Sequence, residues 1–259
     1  MERLKSTITP HLSRRIRIGI LLTLALALTA VMGLLGSDSS SGQSTLTSTP
    51  TASNTNTPTF TPTFTLTVTP TPKPCTVVTT VADSGPGSLR AALACASDGD
   101  TIDATAVSGT ILLTTGELVV NKSVTILGPG SSALAMDGNH ASRVFYVTNA
   151  VTAAISGITI TNGRAAGDIQ PNSGGGGIYN DHSTLTVSNC NLTGNSAVAI
   201  GEESDSYGGG ILNDGSTFGG HTGGATLTII SSTLDGNSAV FDTGAVSDAW
   251  GGGIANLGA

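Results

Sequence analysis

The sequence predicts an all-β fold: a right-handed parallel β-helix, or solenoid, with a short N-terminal capping helix, preceded by a hydrophobic helix and a disordered linker. Three observations predict it. A glycine-rich unit recurs along the C-terminal part of the chain. Within the unit, apolar residues alternate with Thr or Ser. The composition is glycine-rich, with 35 Gly in 259 residues, and carries only 3% aromatic and 10% charged residues, which suits short strands joined by tight turns better than a conventional globular core.

The repeat is the decisive signal. Residues Gly175 to Ala197 read GGGIYNDHSTLTVSNCNLTGNSA, and Gly208 to Ala239 read GGGILNDGSTFGGHTGGATLTIISSTLDGNSA. The second matches the first once an insertion near Phe218 to Ala225 is removed, and a third copy begins at Gly251 as GGGIANLGA. A worn earlier copy, AAISGITITNGRA, aligns Ile155, Ile158 and Ile160 with Val187, Cys190 and Leu192, and with Ile229, Ser232 and Leu234. The unit is therefore about 23 residues long. Leu185 and Val187 share one face while Thr184 and Thr186 point away, a period of two and hence a strand pattern.

About three such runs per unit, separated by Gly, Asn and Asp, make a coil of three short strands. Stacked coils bury inward residues against their equivalents above and below. Ile178, Ile211 and Ile254 should form one column, and Ile160, Leu192 and Leu234 another. Asn180, Asn213 and Asn256 recur at one position and should form an asparagine ladder in a turn, pairing backbone groups that would otherwise be unsatisfied. A β-sandwich is the alternative architecture, but it does not require repetition at a fixed unit.

Four segments follow. Residues 1–36 carry five basic residues in the first 17 positions and then the uncharged run Ile18 to Leu35. This reads either as a cleaved signal peptide or as an N-terminal membrane anchor, since the run lies at the lower limit for a spanning helix and no cleavage site is clean. Both readings export the rest of the chain. Residues 37–74 are almost entirely Ser, Thr, Pro and Asn, a composition that predicts a disordered, extended linker. Residues 75–150 form the N-terminal cap and first coils, and residues 151–259 the Gly-rich repeats. The chain stops a few residues into the third copy, so it reads as truncated, either the front of a longer array or a non-functional fragment.

In the third segment, Ser88 should cap a short helix through Leu89, Ala92, Leu93 and Ala96. Leu89 and Leu93 on one face would cover the apolar end of the first coil, with Arg90 at the rim. Cys75 and Cys95 flank this segment and are placed to pair outside the cytoplasm. Cys190 falls on the inward pattern and reads as a small buried thiol.

The run DSGPGSLRAAL, then GDTI, then SGTILLTTGELVVNKSVTILGPG, then GNHASRVFYV, resembles the start of bacterial surface proteins with CSLREA-type or choice-of-anchor-Q-type β-helix domains. The repeats GGGIYN…NCNLTGNSA and GGGILND…STLDGNSA resemble those of polymorphic outer-membrane proteins. The resemblance covers roughly Val77 to the end. Where that family carries Phe-x-x-Asn, this chain has motifs such as Val187-Ser188-Asn189. The resemblance implies a β-helix at a bacterial cell surface with an adhesin-like role, and no particular activity.

Charge narrows the partners. From Cys75 onward the basic residues are Arg90, Lys122, Arg143 and Arg164 against fifteen Asp and Glu, a net charge of −11. That argues against nucleic acid, which needs a basic footprint, and against docking of this region on an anionic membrane. The remaining expected partners are glycans or other surface proteins, and the membrane through residues 18–35 if that segment is uncleaved.

The search for chemistry yields no catalytic, cofactor-binding or metal-binding assignment. Asp181 and Asp214 occupy equivalent repeat positions and are the best carboxylate pair for a polysaccharide lyase or hydrolase. As an Asn-Asp turn they read more simply as solvated turn residues. Asp98, Asp100 and Asp103 form an incomplete calcium-loop pattern in a Gly turn. His11, His140, His182 and His221 have no ligand spacing, and the GGG runs lack the Gly-Lys-Ser/Thr of a phosphate loop. Asn121 and Asn191 head glycosylation sequons, which matter only in a eukaryotic secretory pathway, and Trp250 reads as an exposed aromatic near an end. The expected function is thus a structural or adhesive surface module rather than an enzyme, with a polysaccharide-degrading enzyme as the rival.

Overall fold

A computed structural model describes residues 44–51, 61–68, 73–148, 150–168, 172–201, 204–217, 222–242 and 248–258. The apolar run 18–35 lies outside these residues, as do His11 and His221. Among the described residues no helix is long and apolar enough to cross a membrane. The chain divides into two compact units, residues 1–71 and 72–259. In the first, strands Ser44–Thr51 and Thr61–Val68 pair antiparallel, from Ser44 opposite Val68 to Thr51 opposite Thr61. These two segments fall within residues 37–74, where composition predicts a disordered, extended linker. Thr-rich extended chain is also suited to strand pairing.

The second unit is mostly β, and its sheets are parallel. Three five-stranded sheets dominate. Sheet I consists of Thr101–Asp103, Thr125–Leu127, Thr152–Ser156, Thr184–Ser188 and Thr226–Ile230. Sheet II consists of Gly109–Leu112, Leu134–Asp137, Thr159–Thr161, Asn191–Thr193 and Thr233–Asp235. Sheet III consists of Leu118–Val120, Phe145–Val147, Ile178–Asp181, Ile211–Asp214 and Ile254–Leu257. The chain visits I, II and III in turn and then returns to I, so neighbours within each sheet come from successive passes. This arrangement is compatible with a β-helix.

A smaller sheet, Arg164–Gly167, Ser196–Ala199 and Ser238–Phe241, lies between II and III in the later passes. Strands Ser206–Tyr207 and Ala249–Trp250 pair in the connections that follow.

Each main sheet contributes an inward column. Ile102, Ile126, Ile155, Val187 and Ile229 are in register in sheet I. Ile111, Met136, Ile160, Leu192 and Leu234 follow in sheet II, and Leu118, Phe145, Ile178, Ile211 and Ile254 in sheet III. The residues of the first four passes are buried in one continuous core, and Ile229 and Leu234 of the last pass pack against it while partly exposed. Each fully buried aliphatic side chain contributes about 1.5–3 kcal/mol from apolar area.

The two columns expected from the repeats are thus in register. The pass length is not the expected 23 residues: Asn180 and Asn213 are 33 apart and Asn213 and Asn256 are 43 apart. The additional residues form the connections from the small sheet to sheet III, which carry the 206–207/249–250 pair, and, in the longer pass, the insertion between Asp214 and Thr226.

The recurring GGGI motif has two separate causes. Its first glycine takes a left-handed backbone, with φ +65 at Gly175, +59 at Gly208 and +63 at Gly251, a region glycine enters without steric cost. A Cβ on the second would run into backbone: Ser196 in the case of Gly176, and Ser238 in the case of Gly209.

At the start of the unit, helix Leu89–Cys95 begins at Ser88, whose Oγ accepts from Ala91 N at 3.1 Å. Leu89, Ala92 and Leu93 are buried in the same core as the inward columns. Cys75 and Cys95 form a disulfide, and Lys73 Nζ donates to Cys95 O at 2.9 Å.

Candidate functional site

The outer face of sheet III is unlike that of sheets I and II. Outward positions on I are mostly Thr and Ser, as at Thr184, Thr186 and Ser188. On III the outward column reads Val119, Tyr146, Tyr179, Leu212 and Ala255 in register. Tyr179, Leu212 and Ala255 form a second buried apolar cluster, with Tyr146, Tyr207 and Leu257 packed against it. Parallel strands lie about 4.8 Å apart, so identical aromatics at one register position stack. The Tyr146 and Tyr179 rings are 5.2 Å apart and inclined by 12°.

Each tyrosine hydroxyl reaches a carboxylate one pass along. Tyr146 donates to Asp181 Oδ2 at 2.9 Å and Tyr179 to Asp214 Oδ2 at 3.2 Å. Burial is the main cause that raises the proton affinity of both phenols, and the adjacent carboxylates add to it. Tyr146 is pushed up to about 12 and Tyr179 further. Asp181 and Asp214 are register partners, as their repeat positions implied. They are not solvated turn residues, however, being 1% and 2% exposed. Tyr207, in the connection after the second strand of the small sheet, packs against the Tyr179–Leu212–Ala255 cluster on this face. Asp181 also contacts His182 Nδ1 at 2.6 Å, while His182 Nε2 lies 2.6 Å from Ser216 O. Asp214 Oδ1 accepts from Ser216 N at 2.9 Å.

Arg143 closes the front of this network. It is 8% exposed, with its guanidinium carbon 5.0 Å from the Tyr179 ring centroid and 5.9 Å from that of Tyr146. Its Nε lies 3.1 Å from Glu117 Oε2. Burial lowers the proton affinity of the guanidinium, and the Glu117 carboxylate offsets part of that; an arginine stays charged regardless.

In front of Arg143 opens a cleft of about 470 Å³, whose lining includes Glu117, Ser142, Arg143, Tyr146, Arg164 and Asn172. Arg164 is brought there by its own backbone, since Arg164 N donates to Ser142 O at 2.9 Å. The volume falls within the range of small-molecule sites, about 300–1,000 Å³. Glu117 is the one carboxylate of the described lining, and it is committed to Arg143.

The other residues singled out from the sequence are placed separately. Asp98, Asp100 and Asp103 accept respectively from Ser123 N, Ser97 N and Thr105 N at 2.7–2.9 Å. Among the described residues no group of three His, Cys, Asp or Glu is placed to hold a metal ion. Arg90 pairs with Asp83 at 2.7 Å and donates to Gly116 O and Glu117 O, each at 2.6 Å. Cys190 is a buried thiol and Trp250 is exposed.

The ladder Asn180–Asn213–Asn256 forms, at 2.6 and 2.5 Å, but inside the strands of sheet III rather than in a turn. A second asparagine contact, Asn195 Nδ2 to Asn237 Oδ1 at 2.9 Å, joins the GNSA motifs. Its signal was the shared Asn within those motifs. The Arg143–tyrosine cluster left no comparable signal, because Arg143 and Glu117 precede the clear repeats.

The comparisons with protein-family models, with curated proteins and with solved structures yield no match for this chain.

Proposed function

We propose that this chain is an exported, cell-surface right-handed parallel β-helix with an adhesive or structural role, binding glycans through the cleft on the outer face of sheet III. The parallel register of the passes supports the β-helix, and right-handedness follows the strong preference of parallel crossover connections. Helix Leu89–Cys95 then serves as the N-terminal cap, shielding the apolar end that a solenoid's first coil would otherwise expose. The basic and apolar N-terminus supports export, by cleavage or by anchoring.

The observation that carries the binding role is the cleft itself, where Arg143, Arg164, Ser142, Tyr146 and Asn172 supply polar groups and ring surface beside small alanines. Binding is favoured over turnover because Asp181 and Asp214, the best carboxylate pair, are buried and engaged by tyrosine hydroxyls. Glycoside hydrolysis needs two carboxyl groups flanking the scissile bond.

The test is incubation of the full chain with neutral and acidic polysaccharides, following retention and the release of reducing or unsaturated ends together. Retention without release is expected. Release that disappears in D181N or D214N would establish the enzymatic alternative, and absence of retention would remove the binding role.

A further inference from the structure

We propose that the Arg143–Arg164 cleft selects a single carboxylate-bearing sugar residue carried on an otherwise neutral glycan, a reading that rests on the glycan-binding role above. From Cys75 onward the chain has four basic residues against fifteen acidic ones, yet two of the four line this one cleft. Arg143 is balanced by Glu117. Arg164 makes no ion pair among the described residues. Among the described residues the cleft therefore carries one unbalanced positive charge on a planar guanidinium, whose fork matches a carboxylate. Beside it, Ser142 also lines the cleft, its Oγ buried without a hydrogen-bond partner.

The surrounding charge limits the ligand further. A net charge of −11 over the same stretch repels a polyanion over about a Debye length, roughly 10 Å at 0.1 M salt. A chain of acidic sugars would bring many charges into that field and gain one guanidinium. A neutral glycan bearing one acidic residue gains the same contact without the repulsion. One positive charge suits a carboxylate better than a phosphate dianion.

The experiment is calorimetric titration of the full chain at low and moderate salt with four probes. These are a neutral trisaccharide, the same trisaccharide ending in one hexuronic acid, its sulfate-ester counterpart, and a six-residue oligouronate. The uronic trisaccharide should bind tightest, and R164Q should weaken it about tenfold, as expected for loss of a charge-assisted hydrogen bond. K122Q, at an exposed site outside the cleft, should leave binding unchanged.

The oligouronate should bind weakly at low salt. Equal binding of the neutral and uronic trisaccharides by the unmodified protein would overturn this inference while leaving the glycan-binding role intact. Equal binding of the sulfate ester, or tighter binding of the oligouronate at low salt, would also overturn it. Binding of no sugar at all would overturn both readings.

Discussion

His182 sits between two acceptors, the Asp181 carboxylate at 2.6 Å and the Ser216 carbonyl at 2.6 Å. A neutral imidazole can donate from one ring nitrogen only, so the arrangement favours the imidazolium. Burial opposes the charge, but the contacts with Asp181 and Ser216 outweigh it and raise the pKa above its ordinary 6.5. A raised folded pKa stabilises the protein fully below the unfolded value of 6.5 and loses that contribution as pH climbs through the folded value. Urea unfolding of the full chain should therefore show stability falling as pH is raised from 6 through 8, and H182Q should flatten the slope. A slope unaffected by H182Q would mean that the imidazole is not charged in the folded state. Repetition did not reveal His182, because the register position after Asp214 is Gly215. A residue that departs from the repeat leaves no periodic signal. Asn180 and Asn213 recur, and their ladder was legible.

At the scale of elements, the first pass is held by contacts distant in sequence. The Cys75–Cys95 disulfide closes a loop of sequence separation 20. Asp83 accepts from Arg90 and from the backbone N–H groups of Thr114 and Thr115. Burial works against the Asp83 charge, but the Arg90 guanidinium and the threonine contacts outweigh it and hold the carboxyl well below its usual range. A cross-link of that loop length stabilises by about 3 kcal/mol through the unfolded chain. The double variant C75S/C95S should lose about that much in chemical unfolding under oxidising conditions, and the unmodified protein should match it when reduced. Equal stability of the oxidised and double-variant proteins would mean that the disulfide constrains nothing that unfolds. The strands and the helix start at Ser88 were legible because period two and a capping serine are local signals. The antiparallel pairing of Ser44–Thr51 with Thr61–Val68 was not, since a Thr/Pro-rich composition suits both extended linker and paired strand.

At the scale of the molecule, the passes share a core, but only the later ones carry the small sheet, and the candidate site arises beside it. The first strand of that sheet brings Arg164 to the cleft lined by Arg143, and Tyr207, in the connection that follows the sheet's second strand, packs on the outer apolar cluster of sheet III. The inward columns were readable from aligned isoleucines and leucines, because a stacked core demands the same residue class at each level. The cleft was not readable, because Glu117, Arg143 and Asn172 lie in connections outside the clear repeats, and Arg164 occupies a register position held by Ser196 and Ser238 in later passes.

The central claim is that successive passes stack parallel and in register. Cross-strand amide and α-proton NOEs in isotopically labelled protein test it directly. Val187 should show contacts to Ile155 on one side and Ile229 on the other, and Leu192 to Ile160 and Leu234, matching the register of sheets I and II. Close α-proton pairs between these neighbouring strands of sheets I and II, the mark of antiparallel pairing and hence of a β-sandwich, would contradict the account.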